Sequence, residues 1–198
     1  MPYKPNQREY RSFDMQLEPQ PIEGGHIVEG YATTFDVPYE FGYDGMKECI
    51  RSTALDGADL SDVIFQLNHD GQTLARLRNG SMQLETDGHG LKVRADLGGS
   101  TAGRDLYEAI KSGLIDKMSW GFAVARDGWE YDPDTRTSYV NKVSKVFDVS
   151  AVSIPADADT EIHARSYLDG VIEAEKQELL SRDREERQRA ALKLRLMK

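Results

Sequence analysis

A mostly β chain (α+β), with its strands gathered into a compact barrel and helices at the periphery, is the fold class this sequence predicts. Three observations predict it. Short apolar–polar alternations recur between residues 13 and 154, separated by Gly, Pro, Asp and Asn. One segment, 104–113, instead repeats its apolar residues at helical spacing and closes on Gly113. The chain then ends in Glu, Lys, Arg, Gln, Ala and Leu, all strong helix formers.

Residues 1–12 are polar, contain two prolines and read as a flexible N-terminal arm. Phe13, Met15 and Leu17 alternate with polar neighbours, which predicts a strand to Glu18, broken by Pro19 and Pro21. A second strand runs from His26 to Phe35, and the Gly- and aromatic-rich stretch 36–45 reads as a loop. Residues 48–55 fit a strand or a short helix. Val63 to Leu67 is an apolar run of buried-strand length, and Asn68-His69-Asp70-Gly71 is the loop at its end. Met82–Thr86 and Leu91–Leu97 alternate cleanly around Asp87-Gly88-His89-Gly90, the clearest β-hairpin in the chain.

Gly98 to Gly103 reads as a link. In the helix that follows, Leu106, Tyr107, Ala109 and Ile110 share a face, and Gly113 stands at the C-cap position. A strand then begins at Ser119, between Met118 and Trp120, and runs to Ala125. Asp132-Pro133-Asp134-Thr135 is a turn across which Thr137–Val143 pairs back. Val146–Ile154 is apolar on both faces, as an interior strand requires, and Pro155 ends it. The C-terminal helix, 169–198, has apolar positions at its ends and a polar centre, so it lacks a continuous buried face.

Composition narrows the function classes. The net charge is −9; the segment from Val171 carries +2, leaving −11 on residues 1–170. An acidic body is a poor partner for phosphates, so no nucleic acid is expected. No stretch approaches the roughly 20 apolar residues of a membrane span, and Met1 to Gln7 lacks a signal-like apolar run. A single cysteine, Cys49, allows no internal disulfide and fits a reducing compartment. The four histidines show no paired metal-ligand spacing, so neither a metal nor a cofactor is expected.

Chemistry can be sought where polar groups sit in apolar settings. Ser119 is a small hydroxyl among large apolar neighbours. A serine that attacks a carbonyl needs a base near neutral pKa and a group that orients that base. His69, at a strand end, can supply the base; Asp148, inside an apolar strand, must find a partner there or bear a desolvation cost. Ordinary structural roles remain the competing description of all three. His89 is a rival base, most simply a hairpin-tip residue; His26 and His163 have no comparable setting. Cys49 lacks an adjacent histidine or glycine turn and reads as a small buried hydrophobe.

A set of fragments in fixed order adds to these readings: Gly30-Tyr31-Ala32 with Phe35; Glu48-Cys49-Ile50 leading to Ala54-Leu55; Leu67-Asn68-His69-Asp70; and Gly90-Leu91. Gly103 to Tyr107 with Gly113, Met118-Ser119-Trp120-Gly121-Phe122, and Asp148 through Ala156 complete it. Over about residues 25–165 this order resembles the tailed-bacteriophage prohead maturation proteases, serine peptidases related to the herpesvirus assemblins. The resemblance implies an assemblin-like barrel, His69 as the catalytic histidine and Ser119 as the nucleophile. The family often has glutamate where this chain has Asp148, and assemblins use a second histidine as third member; Asp148 is the better fit and the third catalytic residue expected. Trp120 departs from the smaller or different residue common beside the serine, which bears on substrate preference.

What the resemblance implies is a serine endopeptidase of residues 13–168 without cofactor. It would act inside the immature prohead, in the host bacterial cytoplasm, on scaffold, the N-terminal arm of the capsid protein or both, and on itself. The tail 169–198 would be a removable targeting or scaffold-binding helix, and self-association stays open. The alternative is a catalytically silent, protease-like assembly factor. A generic esterase is disfavoured, because the chain lacks Gly-x-Ser-x-Gly and an alternating α/β pattern.

Overall fold

Strand pairing brings together residues far apart in the chain, as the alternating pattern demands. The computed structural model describes residues 6–13, 17–20, 25–40 and 45–153, with 181, 182 and 184 in helical conformation. In chain order the elements are β1 (Arg8–Phe13), β2 (Glu18–Pro19), β3 (Ile27–Thr34), β4 (Tyr39–Glu40), β5 (Lys47–Ile50), β6 (Ile64–Leu67) and β7 (Asp70–Arg76). They continue with β8 (Met82–Thr86), β9 (Gly90–Asp96), α1 (Thr101–Lys111), β10 (Lys117–Val124), β11 (Trp129–Asp132), β12 (Thr137–Val140) and β13 (Val143–Val152). The chain divides into two compact units, Lys4–Glu161 and Met1–Tyr3 with Ile162–Lys198. The expected C-terminal helix lies outside the described residues, save 181, 182 and 184.

The expected barrel is not what the pairing gives. Among the described residues the strands form three open sheets, in the orders β1-β10-β13-β6-β7, β11-β12-β5-β4 and β2-β3-β9-β8. Among the described residues none of these sheets closes on itself, so the fold is mostly β with one described helix. Most pairs are antiparallel; β13 with β6 and β12 with β5 are parallel. The third sheet contains the expected hairpin, in which Asp87 Oδ1 accepts from the backbone N–H groups of His89 (2.7 Å) and Gly90 (3.0 Å).

The first twelve residues are not wholly a flexible arm. Arg8–Phe13 forms β1, antiparallel to β10, with Ser12 opposite Ser119 and Tyr10 opposite Gly121. Successive side chains of a strand point to opposite faces. Arg8 and Tyr10 therefore lie on one face of the sheet, Glu9 and Arg11 on the other. Arg11 is buried, and its guanidinium donates to Glu48 Oε1 (2.6 Å) and Oε2 (2.9 Å) and to Glu9 Oε2 (2.6 Å). Tyr39 O–H also donates to Glu48. This cluster joins β1 to β5 of another sheet. Burial alone would lower the Arg11 pKa, but Glu48 and Glu9 outweigh it and raise it above its ordinary value.

Residues 48–55 resolve into β5 followed by turns. The stretch read as a loop after Phe35 includes the short strand β4. On the inner face of the five-stranded sheet, Trp120 and Phe122 are fully buried and stack with centroids 4.0 Å apart. Burial of rings this size contributes about 3 kcal/mol each.

α1 begins three residues before the expected start. Ser100 is the N-cap, its Oγ accepting from Gly103 N–H at 3.0 Å, so residues read as a link supply the first turn. Gly113, at φ 73°, ends the helix as expected. Leu106, Tyr107 and Ile110 form the buried face. Gly103 is also buried, and a Cβ built on it would stand 2.2 Å from the Leu97 carbonyl oxygen.

Two stability predictions follow from these contacts. Helix propensity favours alanine over glycine by about 1 kcal/mol, but the clash with a backbone carbonyl is larger, so Gly103→Ala lowers the urea midpoint; a raised midpoint overturns this account. Glu48→Ala leaves the Arg11 charge incompletely compensated in the interior and costs about 3–5 kcal/mol in the same measurement.

Candidate active site

Three strands and one turn of the five-stranded sheet converge on a single polar patch. The turn comes first. Asn68 and His69 connect β6 to β7 with φ of 52° and 58°, and Leu67 pairs with Asp70. Two positive-φ residues are what a tight hairpin turn requires. Asparagine tolerates that conformation; histidine occupies it at a cost of about 1 kcal/mol. The strain is held in place by hydrogen bonds of Asn68 to β13 and the residue after it: its Oδ1 accepts from Ser153 N–H at 2.9 Å and its backbone N–H donates to Ala151 O at 2.9 Å. His69 is thereby fixed against the end of β13.

β13 supplies Asp148 and Ser150. Asp148 lies opposite Gly121 in the ladder, and Ser150 lies opposite Ser119. Between Gly121 and Phe122 the register shifts and Phe147 has no partner across, a bulge that redirects the side chains around it. β10 supplies Ser119. Its Oγ is 2.5 Å from His69 Nε2, and His69 Nδ1 is hydrogen-bonded to Asp148 Oδ2. The residues expected as nucleophile, base and orienter thus form one hydrogen-bonded chain, drawn from positions 119, 69 and 148.

Burial sets the electrostatics. Ser119 and Asp148 have no exposed surface, and the His69 side chain is 13% exposed. Burial alone would push the Asp148 carboxyl up. The hydrogen bond from His69 and its charge, then the Arg8 guanidinium, outweigh that and hold it below the ordinary carboxylate range. Ser150 Oγ–H donates to the same Oδ2 at 2.9 Å, and Arg8 Nη2 pairs with Oδ1. Tyr10 packs its ring on the His69 imidazole, centroids 4.3 Å apart. Its phenol pKa is raised, chiefly by burial, so it stays protonated.

Ser119 has one proton and two acceptors. Its Oγ lies 2.9 Å from the Arg11 carbonyl oxygen as well as 2.5 Å from His69 Nε2. With Nδ1–H directed to Asp148, a neutral imidazole presents its Nε2 lone pair to the hydroxyl. Transfer of the hydroxyl proton along that line produces an imidazolium paired with a buried carboxylate. The arrangement can thus generate a serine alkoxide equivalent and accommodate the charge.

A scan against family models matches the caudovirus prohead serine protease family over residues 14–171. The chain belongs to this family. Among curated proteins, the prohead protease of Enterobacteria phage HK97 is 31% identical over 149 residues, which span 73% of this chain and 62% of that protein. Among solved structures, the bacteriophage T4 capsid assembly protease, gp21, is 15% identical with a TM-score of 0.45, the match covering 76% of this chain and 100% of that one.

The other candidates of the sequence reading stand apart from the patch. Cys49 is buried, and burial raises its thiol pKa, which suits an inert hydrophobe. His89 sits at the hairpin tip, its ring edge-on to Tyr31 at 4.6 Å; His26 is edge-on to Tyr107 at 5.1 Å. His163 lies outside the described residues. Sequence reading missed Arg8, Tyr10 and Ser150. Glycine within a strand marks a close approach of other groups, and Gly121 was the available signal for the first two.

Because the Asp148 carboxyl titrates below its unfolded value, its ionised form contributes stability above about pH 3.9 that is lost as pH falls through the native midpoint. The stability difference between wild type and Asp148→Asn is therefore steady down to about pH 5 and narrows as pH falls from there towards about pH 2. Urea midpoints across that range check it; a constant difference overturns it.

Proposed function

We propose that this protein is a serine endopeptidase of phage head maturation, cleaving scaffold, the N-terminal arm of the capsid protein or both within the immature head, and itself. The observation that carries the reading is the hydrogen-bonded chain from Ser119 through His69 to Asp148. Membership of the caudovirus prohead serine protease family supports the reaction class.

In this reading Ser119 Oγ attacks the scissile carbonyl carbon while His69 Nε2 takes its proton. The C–N bond breaks as His69 returns that proton to the leaving amine, leaving an acyl-enzyme. Water then attacks the ester, its proton passing to His69 and on to Ser119. Asp148 keeps Nδ1 protonated and stabilises the imidazolium in both halves. The tail 169–198 serves as a removable targeting or scaffold-binding segment, and the acidic body keeps the enzyme off nucleic acid.

A second reading has its own observation. Ser119 is wholly buried, with its hydroxyl against the Arg11 carbonyl, which fits a protease-like assembly factor that does not turn over. The two are separated by incubating purified protein with scaffold and capsid protein and mapping new termini by mass spectrometry. The endopeptidase reading expects cleavage, and labelling of Ser119 by a serine-directed phosphonate. Ser119→Ala or His69→Ala reduces cleavage by roughly 10⁶-fold and Asp148→Asn by roughly 10⁴-fold. Unchanged cleavage with Ser119→Ala overturns it.

A further inference from the structure

Asp148 has two oxygens, and only one faces the imidazole. Oδ2 accepts from His69 and Ser150; Oδ1 is bound by Arg8 Nη2. Arg8 reaches it from β1, two strands from β13, across β10 between them. The crossing is open because the residue beneath is Gly121. A Cβ there would stand 2.3 Å from Asp148 Oδ1 and 3.1 Å from Arg8 Nε. The guanidinium carbon also lies 5.0 Å from the ring centroids of both Tyr10 and Phe147, the unpaired residue of the β13 bulge. Its charge is thus held by two rings and aimed at one oxygen of a carboxylate that has no solvent contact.

We infer that Arg8 is a positioning residue of the Ser119–His69–Asp148 site: it clamps the outer oxygen of Asp148 so that the inner oxygen meets His69 Nδ1, and Gly121 is the gap through which it does so. The inference deepens the endopeptidase reading and rests on it for its link to activity. A carboxylate held on both oxygens cannot rotate away when the imidazole becomes charged. Without Arg8, Oδ1 loses its cationic donor, and the buried charge is compensated from the His69 and Ser150 side.

The groups that bear on the carboxylate come from each element packed around it. β1 contributes Arg8 and Tyr10, β10 contributes Ser119, and β13 contributes Ser150. The turn contributes His69, with Asp70 beside it bonded to the Gly71 N–H. Lys145, also on β13, is paired with Asp59. Arg8 and a protonated His69 are thus the cations that contact Asp148 among the described residues.

The test compares Arg8→Gln, Arg8→Lys and Gly121→Ala in the full chain. The Asp148 side-chain carboxyl is titrated by carbon NMR, and the rate of Ser119 labelling by a phosphonate is measured alongside. Arg8→Gln keeps a donor and removes the charge. The Asp148 midpoint moves up towards the ordinary carboxylate value, and labelling slows about 10- to 100-fold, the worth of a charge-assisted hydrogen bond. Arg8→Lys restores most of both. Gly121→Ala, with Arg8 intact, moves both in the direction of Arg8→Gln. An Asp148 midpoint that stays put in Arg8→Gln overturns the inference, as does Arg8→Lys behaving like Arg8→Gln; should Arg8→Gln not fold, an unmoved midpoint in Gly121→Ala does the same. The titration needs no turnover. A midpoint that moves as expected in a protein whose Ser119 is never labelled supports the clamp and removes the endopeptidase reading.

Discussion

A carboxylate with no access to water must be compensated on every side, and the arrangement around Asp148 follows from that demand. A buried, unpaired charge costs several kcal/mol, enough to unfold a marginal domain. Each neighbouring strand answers part of it. The β6–β7 turn bends through two left-handed residues to deliver His69, β13 supplies the Ser150 hydroxyl two positions on, and β1 delivers Arg8 over Gly121. Sheet order, the glycine and the strained turn are therefore one solution to one electrostatic constraint. The geometry at Ser119 is a by-product of the same solution, because the imidazole that hydrogen-bonds Asp148 presents its other nitrogen to the hydroxyl.

The opposite face of β1 solves a similar problem by different means. Arg11 is enclosed by Glu48, Glu9 and the Phe122 ring, 5.5 Å from its guanidinium carbon, where a hydrophobic strand would have been simpler. Ion clusters of this kind add little net stability but penalise any arrangement that separates their members. Its effect is to fix the register of β1. A slip of one residue would exchange the two faces of the strand, placing Arg11 over Gly121 and Arg8 in the interior.

Much of this was legible in the chain, for physical reasons that differ by element. The 82–97 hairpin was clear because alternation and turn residues agree over both strands. The apolar β13 and the stop at Gly113 were equally direct. His69, Ser119 and Asp148 were identifiable as residue types in suitable settings, and family resemblance chose among the serines and histidines; their proximity is a fact of strand order. β1 was not legible. Arg8-Glu9-Tyr10-Arg11-Ser12 has a single aromatic among charged and hydroxyl residues, so a pattern based on hydrophobic alternation finds no strand there. The partners that make those side chains tolerable, Glu48 and Asp148, lie 37 and 140 residues away. The early start of α1 was hidden for a local reason: glycine disfavours helix, and the Ser100 cap outweighed it. The barrel expectation failed because counting strands does not reveal whether the last pairs with the first.

The pairing of β1 with β10 also orders events in time. β1 waits for residues more than a hundred positions later before it pairs with β10, and β10 in turn pairs with β13, near the end of the described residues. Contacts of such sequence separation form late, since loop-closure entropy must be met before they contribute. Ser119 therefore meets His69 and Asp148 only after the strand that ends at Val152 has left the ribosome. A nascent chain of this protein lacks the hydrogen-bonded line from Ser119 through His69 to Asp148 until its sheet is complete.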